Sequence, residues 1–445
     1  MSEIELAGDP PSTLAAGTPS RRSAGHQRRA VIAGGLGNLI EYYDFALYGV
    51  LAVTMAPVFF PASESSSSLL STLAVFGIAF VMRPIGGWFF GHLGDRKGRR
   101  RALVATVLTM GISSAAVGIL PTHSAAGVAA PMLLVLARLV QGFSAGGELS
   151  GSATYVSESA PSGRRGFYMS LSLIGTTVGF SVAAAVVGVV SATMSTAQMA
   201  SWGWRIPFLL SLPLALFCMW ARLRLEETSE FAAMVDHQEV VKRPLLKVFT
   251  DHRLSLLLLF GLTIGNTGIG YVGVTYLNIY LIDTRHFDKQ SVYWLSAAAI
   301  AVACCTYPLA GLMVDKFGRK RMLIAGFASF LVLAWPLFFA LNATTSVVVA
   351  GLIFIIYHSL TFVYNVPNVV VAAELFPRRV RYTGTAISIN MATILAGGTS
   401  PYVAQWLVDS THDPKSPAWW IIGVAAIALV AALSLRETSH DALPA

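Results

Sequence analysis

The stretch Gly91-His-Leu-Gly-Asp95-Arg96-Lys97-Gly98-Arg99-Arg100-Arg101 returns 220 residues later as Gly311-Leu-Met-Val-Asp315-Lys316-Phe317-Gly318-Arg319-Lys320-Arg321. Each copy closes one apolar run and precedes another. Two further pairs keep nearly the same offset. Glu158 and Arg165 form E-x6-R, and Glu374 and Arg381 repeat it 216 residues on. Arg224-Leu-Glu-Glu227-Thr228 is echoed by Leu435-Arg436-Glu437-Thr438. Three ordered coincidences at one period indicate a duplicated chain. Parallel repeats of apolar helices are the arrangement of a carrier that rocks two bundles around a central site.

Outward from these loops, the chain is apolar. Of 445 residues, 55% are hydrophobic and 12% charged, against roughly 25% charged in a soluble domain. That excludes an ordinary soluble enzyme, and a disordered chain would need the opposite balance. A membrane-spanning helix takes about 20 mostly apolar residues. Twelve stretches qualify: 31–58, 69–93, 102–121, 129–153, 166–191, 204–223, 254–282, 292–314, 322–341, 347–373, 383–408 and 417–435. The expected organisation is a disordered tail 1–30, a six-helix bundle 31–223, a polar connection 224–253, a second bundle 254–436 and a tail 437–445. The first tail has no apolar run and does not read as a cleavable signal. The three cysteines, Cys218, Cys304 and Cys305, form no metal or disulfide pattern. No Walker A sequence is present, and no cofactor or metal is expected.

Orientation follows from Lys and Arg. With the N-terminus cytoplasmic, 25 of the 31 Lys and Arg fall on the cytoplasmic side, and only Arg285, Lys289 and Lys415 fall opposite. Both termini are therefore expected inside. The asymmetry also accounts for the net charge of +8 without a nucleic acid partner.

The duplicated loop resembles the signature of the major facilitator superfamily. Further segments narrow the resemblance to its metabolite:proton symporters. They are Gly37-Asn-Leu-Ile-Glu41-Tyr-Tyr-Asp44-Phe-Ala-Leu-Tyr48-Gly, Arg83-Pro-Ile-Gly-Gly, and Arg138-Leu-Val-Gln141-Gly-Phe-Ser-Ala-Gly-Gly-Glu148. Trp204-Arg205-Ile-Pro-Phe, Glu374-Leu-Phe-Pro-Arg-Arg-Val-Arg-Tyr-Thr-Gly384 and Gly397-Gly-Thr-Ser-Pro401 also fit. The likeness covers roughly 31–436. It implies the twelve-helix fold in two bundles and carriage of metabolites such as 2-oxoglutarate, citrate, shikimate, proline or glycine betaine. The long C-terminal coiled coil of some osmoregulatory members has no counterpart, so osmosensing is not expected.

Gly142-Phe-Ser144-Ala-Gly146 matches the G-x-S-x-G nucleophile elbow, which needs a strand–turn–helix context. Here it sits inside an apolar helix, where its glycines read as close helix contacts. An enzyme is not expected.

A charge inside a span costs several kcal/mol and marks function. Five lie well inside: Glu41, Asp44, Arg83, Arg138 and Glu148, all in the first half. At 1.5 Å per residue, Arg83 lies about 18 Å from the inner surface, level with Glu41, Asp44 and Arg138. Asp44, then Glu41, are the expected proton carriers. Arg138 and Arg83 are the expected carboxylate clamp, helped by Gln141 and Tyr48. The second half offers no such charge. Tyr271, Tyr276 and Asn278, with Tyr364 and Asn368, are expected to hold the rest of the substrate. Asn266, Asn365 and Asn390 lie beside them, and His358 reads as a satisfied buried histidine. A cytoplasmic gate is expected from Asp95, Arg96, Arg99, Glu158, Arg165, Asp315, Arg319, Glu374 and Arg381. Glu148 suits either a latch onto this gate or a proton carrier.

The expected function is proton-coupled uptake of a small carboxylate-bearing metabolite by alternating access. The protein would work as a monomer in the inner (plasma) membrane. Its partners would be the substrate, protons and the lipid bilayer. A proton-coupled carrier of a zwitterion such as proline or betaine is the first alternative, and an integral membrane enzyme or sensor the remoter one.

Overall fold

The structure, a computed structural model, describes residues 21–61, 65–97, 99–146, 163–223, 244–377 and 380–439. Among the described residues every regular element is helical. Among the described residues, eight helices are long and apolar enough to cross a membrane. A further pair, Gly35–Val50 with Ala52–Phe59, bends by 64° between its halves. Val104–Ile119 and Ala129–Ala145 are shorter apolar helices. In lipid, backbone groups must be satisfied within the segment, so an apolar chain of this length folds as helices. Large apolar side chains face outward, among them Trp88, Ile119, Val348 and Leu254. The charged residues of the first half face inward: Glu41, Asp44, Arg83 and Arg138 are all buried.

Several helices are interrupted, and the interruptions matter for the site. Helix Ser65–Val81 gives way to Arg83–Lys97 at Met82, two residues before Pro84. Proline has no N–H to donate and its ring crowds the preceding turn. Arg83 therefore stands at a break. Arg253–Tyr271 runs on through two π-helical turns, Val272–Tyr276 and Tyr280–Thr284. Arg381–Ala392 passes through a third, Thr393–Gly397, into Ser400–Thr411. Such turns recur at functional sites because they re-aim side chains within a helix.

The boundaries differ from the expected ones. The first helix starts at Arg21, inside the stretch read as tail. Helix Pro244–Asp251 occupies part of the expected connection, and Glu437–Ser439 of the second tail is folded back onto the helices. The spans read as ending at 282 and 408 continue to Thr284 and Thr411, adding Asp283 and Asp409 to helical turns.

Helix Arg165–Thr193 packs on the first helix in its own half and on Lys289–Cys304 and Thr306–Phe317 of the other half. Close contacts across the halves lie on both sides of the centre. A Cβ on Gly49 would meet the Thr275 side chain at 2.6 Å, and one on Gly77 would meet the Gly398 carbonyl oxygen at 2.8 Å. At the other end Asp315 and Glu374 of the second half meet Gly166 and Arg165 of the first. A central cavity lies between.

Candidate functional site

The cavity encloses about 170 Å³. From the first half it is lined by Asn38, Tyr42, Arg83, Phe180 and small side chains of helix Arg165–Thr193. From the second half come Asn266, Tyr271, Tyr307, His358, Thr361, Tyr364, Asn365 and Asn368. Arg83 is its one arginine. Of the residues expected to bind substrate, the structure thus brings four together: Arg83, Tyr271, Tyr364 and Asn368.

Arg83 is fixed from two sides. Its Nη2 lies 3.5 Å from Glu41 Oε1, both side chains being buried. Its guanidinium carbon sits 4.4 Å from the ring centres of Phe45 and Phe80. The Tyr271 hydroxyl from the other half lies against it. A guanidinium held over aromatic faces is desolvated without losing its charge. Close helix packing puts it there. A Cβ on Gly146 would meet the Arg83 carbonyl oxygen at 1.9 Å, and one on Gly142 the Ala79 carbonyl oxygen at 1.6 Å. The glycines around Ser144 are therefore contact points. Ser144 itself donates to the Thr106 carbonyl inside a helix bundle, which is no setting for a nucleophile.

Arg138 does not reach the cavity. Its Nη1 donates to Gln141 Oε1 at 2.9 Å. Gln141 Nε2 donates to Asp44 Oδ1 at 3.1 Å, and Ser114 donates to the same oxygen. The rings of Tyr48, Phe45 and Phe76 close over the guanidinium. Phe45 stands against both arginines and divides them. Glu41 and Asp44, expected to act from one face, are thus engaged with different arginines. Arg138, Gln141 and Tyr48, expected beside Arg83, lie in a closed network behind the wall. Tyr48 also donates to the Thr72 carbonyl.

Two further expectations move away from the cavity. Asn278 accepts from Ser296 and donates to the Val274 carbonyl, so both ends of its amide are used in packing. Tyr276 points past the π-helical turn toward Asp283 and Asp409. A helical stripe cannot show that an inserted π turn rotates later residues off the cavity face. In the opposite sense, His358 is not satisfied: its ring lines the cavity and its buried Nε2 has no partner. Asn38 and Tyr42 were also missed, although they stand at i and i+4 and flank Glu41, a legible stripe. Ser114 had no signal, since one serine among many becomes visible only when Asp44 is found beside it.

The basic end joins the halves. Both Asp315 carboxylate oxygens accept backbone N–H groups across the seam, from Gly166 at 2.8 Å and Phe167 at 3.0 Å. They cap the first turn of helix Arg165–Thr193, where unpaired amides and the helix dipole favour an anion. Arg165 pairs with Glu374 at 3.2 Å, and Arg319 pairs with Glu374 at 3.0 Å. Thr438 donates to Glu374 at 2.6 Å. Glu437 accepts the N–H groups of Arg319 and Lys320, capping the next helix. Partial burial pushes the Glu437 carboxyl up, but these backbone donors outweigh it and hold the group below the usual carboxylate range. Glu148 and Glu158 lie outside the described residues, as do the side chains of Asp95, Arg96, Arg99 and Arg381.

Residues 34–398 match the Major Facilitator Superfamily. The chain belongs to that family. It is similar to the proline/betaine transporter of Salmonella typhimurium, at 36% identity over 431 residues, covering 94% of this chain and 85% of the relative. It is similar to the alpha-ketoglutarate permease of Escherichia coli, at 34% identity over 409 residues, covering 92% and 93%. The solved structure of the proton:xylose symporter XylE bound to 6-bromo-6-deoxy-D-glucose superposes with a TM-score of 0.76 at 19% identity, covering 95% and 98%. That likeness speaks to fold. This member of the superfamily is a multi-pass membrane transporter and not an enzyme.

Proposed function

We propose that this transporter is a proton-coupled symporter for a small metabolite bearing a carboxylate, working by alternating access. The observation that carries the reading is Arg83: a buried guanidinium on the wall of a cavity between the halves, with Glu41 as its carboxylate partner. A substrate carboxylate matches this guanidinium through paired hydrogen bonds. It would compete with Glu41. A carboxylate deprived of its cation inside the bilayer is costly and is relieved by a proton. Binding and protonation are then linked at one pair. Asp44, in the closed network with Gln141 and Arg138, is the second proton-coupling group. Tyr271, Tyr364 and Asn368 hold the rest of the molecule.

We read the bent pair, the two shorter helices and the interrupted Arg381–Thr411 segment as crossings alongside the eight long helices. That gives twelve, in two bundles spanning 31–223 and 254–436. Both termini would be cytoplasmic, and a monomer would sit in the inner membrane. Asp315, Arg319, Glu374 and Arg165 would then form a cytoplasmic gate that holds the inward side closed. Its counterpart would comprise Asp95, Arg96, Arg99, Glu148 and Glu158 of the first half with Arg381 of the second.

A second reading, carriage of a zwitterion, is favoured by the single arginine on the cavity and by the aromatic faces of Tyr42, Tyr271 and Phe180. One carboxylate would use Arg83, and the cation would rest on an aromatic face. The proteins to which this chain is similar include carriers named for each class. Reconstituted protein loaded with one unlabelled candidate should exchange it for labelled substrate, and a pH gradient should drive accumulation. Exchange with dicarboxylates but not betaines supports the first reading, and the reverse supports the second. Accumulation that ignores the pH gradient would remove proton coupling. Asp44→Asn should retain exchange and lose uphill accumulation.

A further inference from the structure

The end of the second half away from the basic loops carries a polar cluster remote from the cavity. Asp283 lies on the π-helical turn Tyr280–Thr284, and Gln405 and Asp409 lie one turn apart on helix Ser400–Thr411. The Gln405 amide nitrogen donates to Asp283 Oδ2 at 3.4 Å and to Asp409 Oδ1 at 3.0 Å. Two carboxylates thus face one nitrogen. Among the described residues no ion pair joins either carboxylate to a cation. Lys289, His286 and His412 are within electrostatic range only.

Two fully buried neighbours supply an independent observation. The Gln405 carbonyl oxygen and Asp409 Oδ2 are buried and without a hydrogen-bond partner, and the buried Tyr276 hydroxyl has only the Thr284 hydroxyl beside it. Tyr276 lies beside Thr284 and within range of both carboxylates. A buried acceptor left unmade costs about 1–3 kcal/mol, so two around one pair of acids call for a ligand. Every available group is a hard oxygen, with two formal negative charges.

We infer that Asp283, Asp409, Gln405, Tyr276 and Thr284 form a binding site for a divalent hard cation of the Ca²⁺ type. Carboxylates, an amide carbonyl and hydroxyls, completed by water, meet the six to eight oxygen ligands that Ca²⁺ takes. The amide of Gln405 turns to present its carbonyl when the ion enters. The ion fastens the end of the broken helix that carries Tyr271 to helix Ser400–Thr411. Nearby Lys289 weakens the site, so affinity belongs to the millimolar class of extracellular Ca²⁺ modules.

The test is calorimetric titration of CaCl₂ into chelator-treated, purified full-length protein, with no transported substrate present. One saturable event is expected, with Kd of about 10⁻⁴–10⁻³ M. Asp409→Asn and Asp283→Asn should each weaken it about tenfold or more, the loss of one charged ligand. Lys289→Ala should tighten it, and this gain of binding decides the matter where an acid variant fails to fold. Ca²⁺ should also raise the melting temperature of the wild type. No saturable binding up to about 10 mM, an order above that affinity class, overturns the site. So does equal affinity in Asp409→Asn, or a Lys289→Ala protein that binds no more tightly.

Discussion

The two halves repeat their loops but not their interiors. In the first half, Glu41, Asp44, Arg83 and Arg138 are buried in the central layer. In the second, that layer holds amides, hydroxyls and one imidazole: Asn266, Asn365, Asn368, Tyr364 and His358. Duplication preserved the loop sequences, each following an apolar run, and the interior diverged. The difference teaches a division of labour. Under the proposed function, charge would be handled on one wall and shape on the other, so substrate preference could change in the second half without disturbing proton coupling in the first. Within the first half, Phe45 makes a finer division, leaving Arg83 on the cavity and Arg138 behind it.

The largest effect should come from breaking the closed network. Arg138→Ala leaves Asp44 as a buried charge without its cation, which costs about 3–5 kcal/mol. Denaturation of purified protein should show that loss, while folded molecules keep near-normal substrate affinity. A large loss of affinity at unchanged stability would move Arg138 back to the cavity side of Phe45. Next comes the cavity itself. Arg83→Lys keeps the charge but loses the fork. It should weaken binding of a carboxylate substrate by about 1–3 kcal/mol, the cost of a poorly satisfied charged hydrogen bond. Equilibrium binding on both arginine-to-lysine variants checks the contrast: Arg138→Lys should change affinity far less. Equal losses would erase the division that Phe45 makes.

At the seam the effect should be smaller. Asp315→Asn keeps one acceptor but gives up the anion at the start of helix Arg165–Thr193, a loss of about 0.5–2 kcal/mol by analogy with helix caps. The basic end should open more readily, read as faster labelling of a cysteine placed in the cavity. Unchanged labelling would show that the Arg165–Glu374–Arg319 cluster holds the seam alone.

How much of this was legible depended on whether function was carried by charge type or by local backbone geometry. The repeated Gly-Asp-basic loops and apolar runs made the helical carrier readable, and an arginine inside a span marks itself by its cost. Arg83 and Glu41 were singled out that way, and the structure pairs them, with Arg83 at the cavity. Arg138 was singled out for the same reason but lies on the other side of Phe45 from the cavity, because depth along a helix says nothing about which ring stands between two neighbours. Tyr276 and Asn278 fitted a regular helix and were displaced by π turns. Asp283 and Asp409 were missed because the spans were ended one residue before each. Glu437 was visible only as half of a repeat, and its use as a cap for the opposite loop is a tertiary fact.

That cap gives the smallest effect and a pH signature. Glu437 accepts N–H groups from Arg319, Lys320 and Ser439. Burial raises its pKa, the donors lower it further, and the folded value ends below the ordinary one. A depressed folded pKa means that the docked state stabilises itself fully above the unfolded carboxylate value, about 4.3. The contribution disappears as pH falls through the lower folded value. The group is only partly buried, so screening keeps the effect small. Docking of the tail should therefore be constant from neutral pH to about pH 5 and weaken below it. Amide hydrogen exchange at Arg319 and Lys320, corrected for intrinsic rates, reads this directly. Glu437→Gln should exchange faster at neutral pH and lose the acid-dependent step. A step that survives in Glu437→Gln would take the acid dependence away from this cap. The first half carries the echo Glu226-Glu227-Thr228 after its sixth span. If the two ends of the duplication are capped alike, Glu227→Gln should speed exchange at the start of the helix after Gly98. If the halves have diverged here as they have inside, only the Glu437 end will respond.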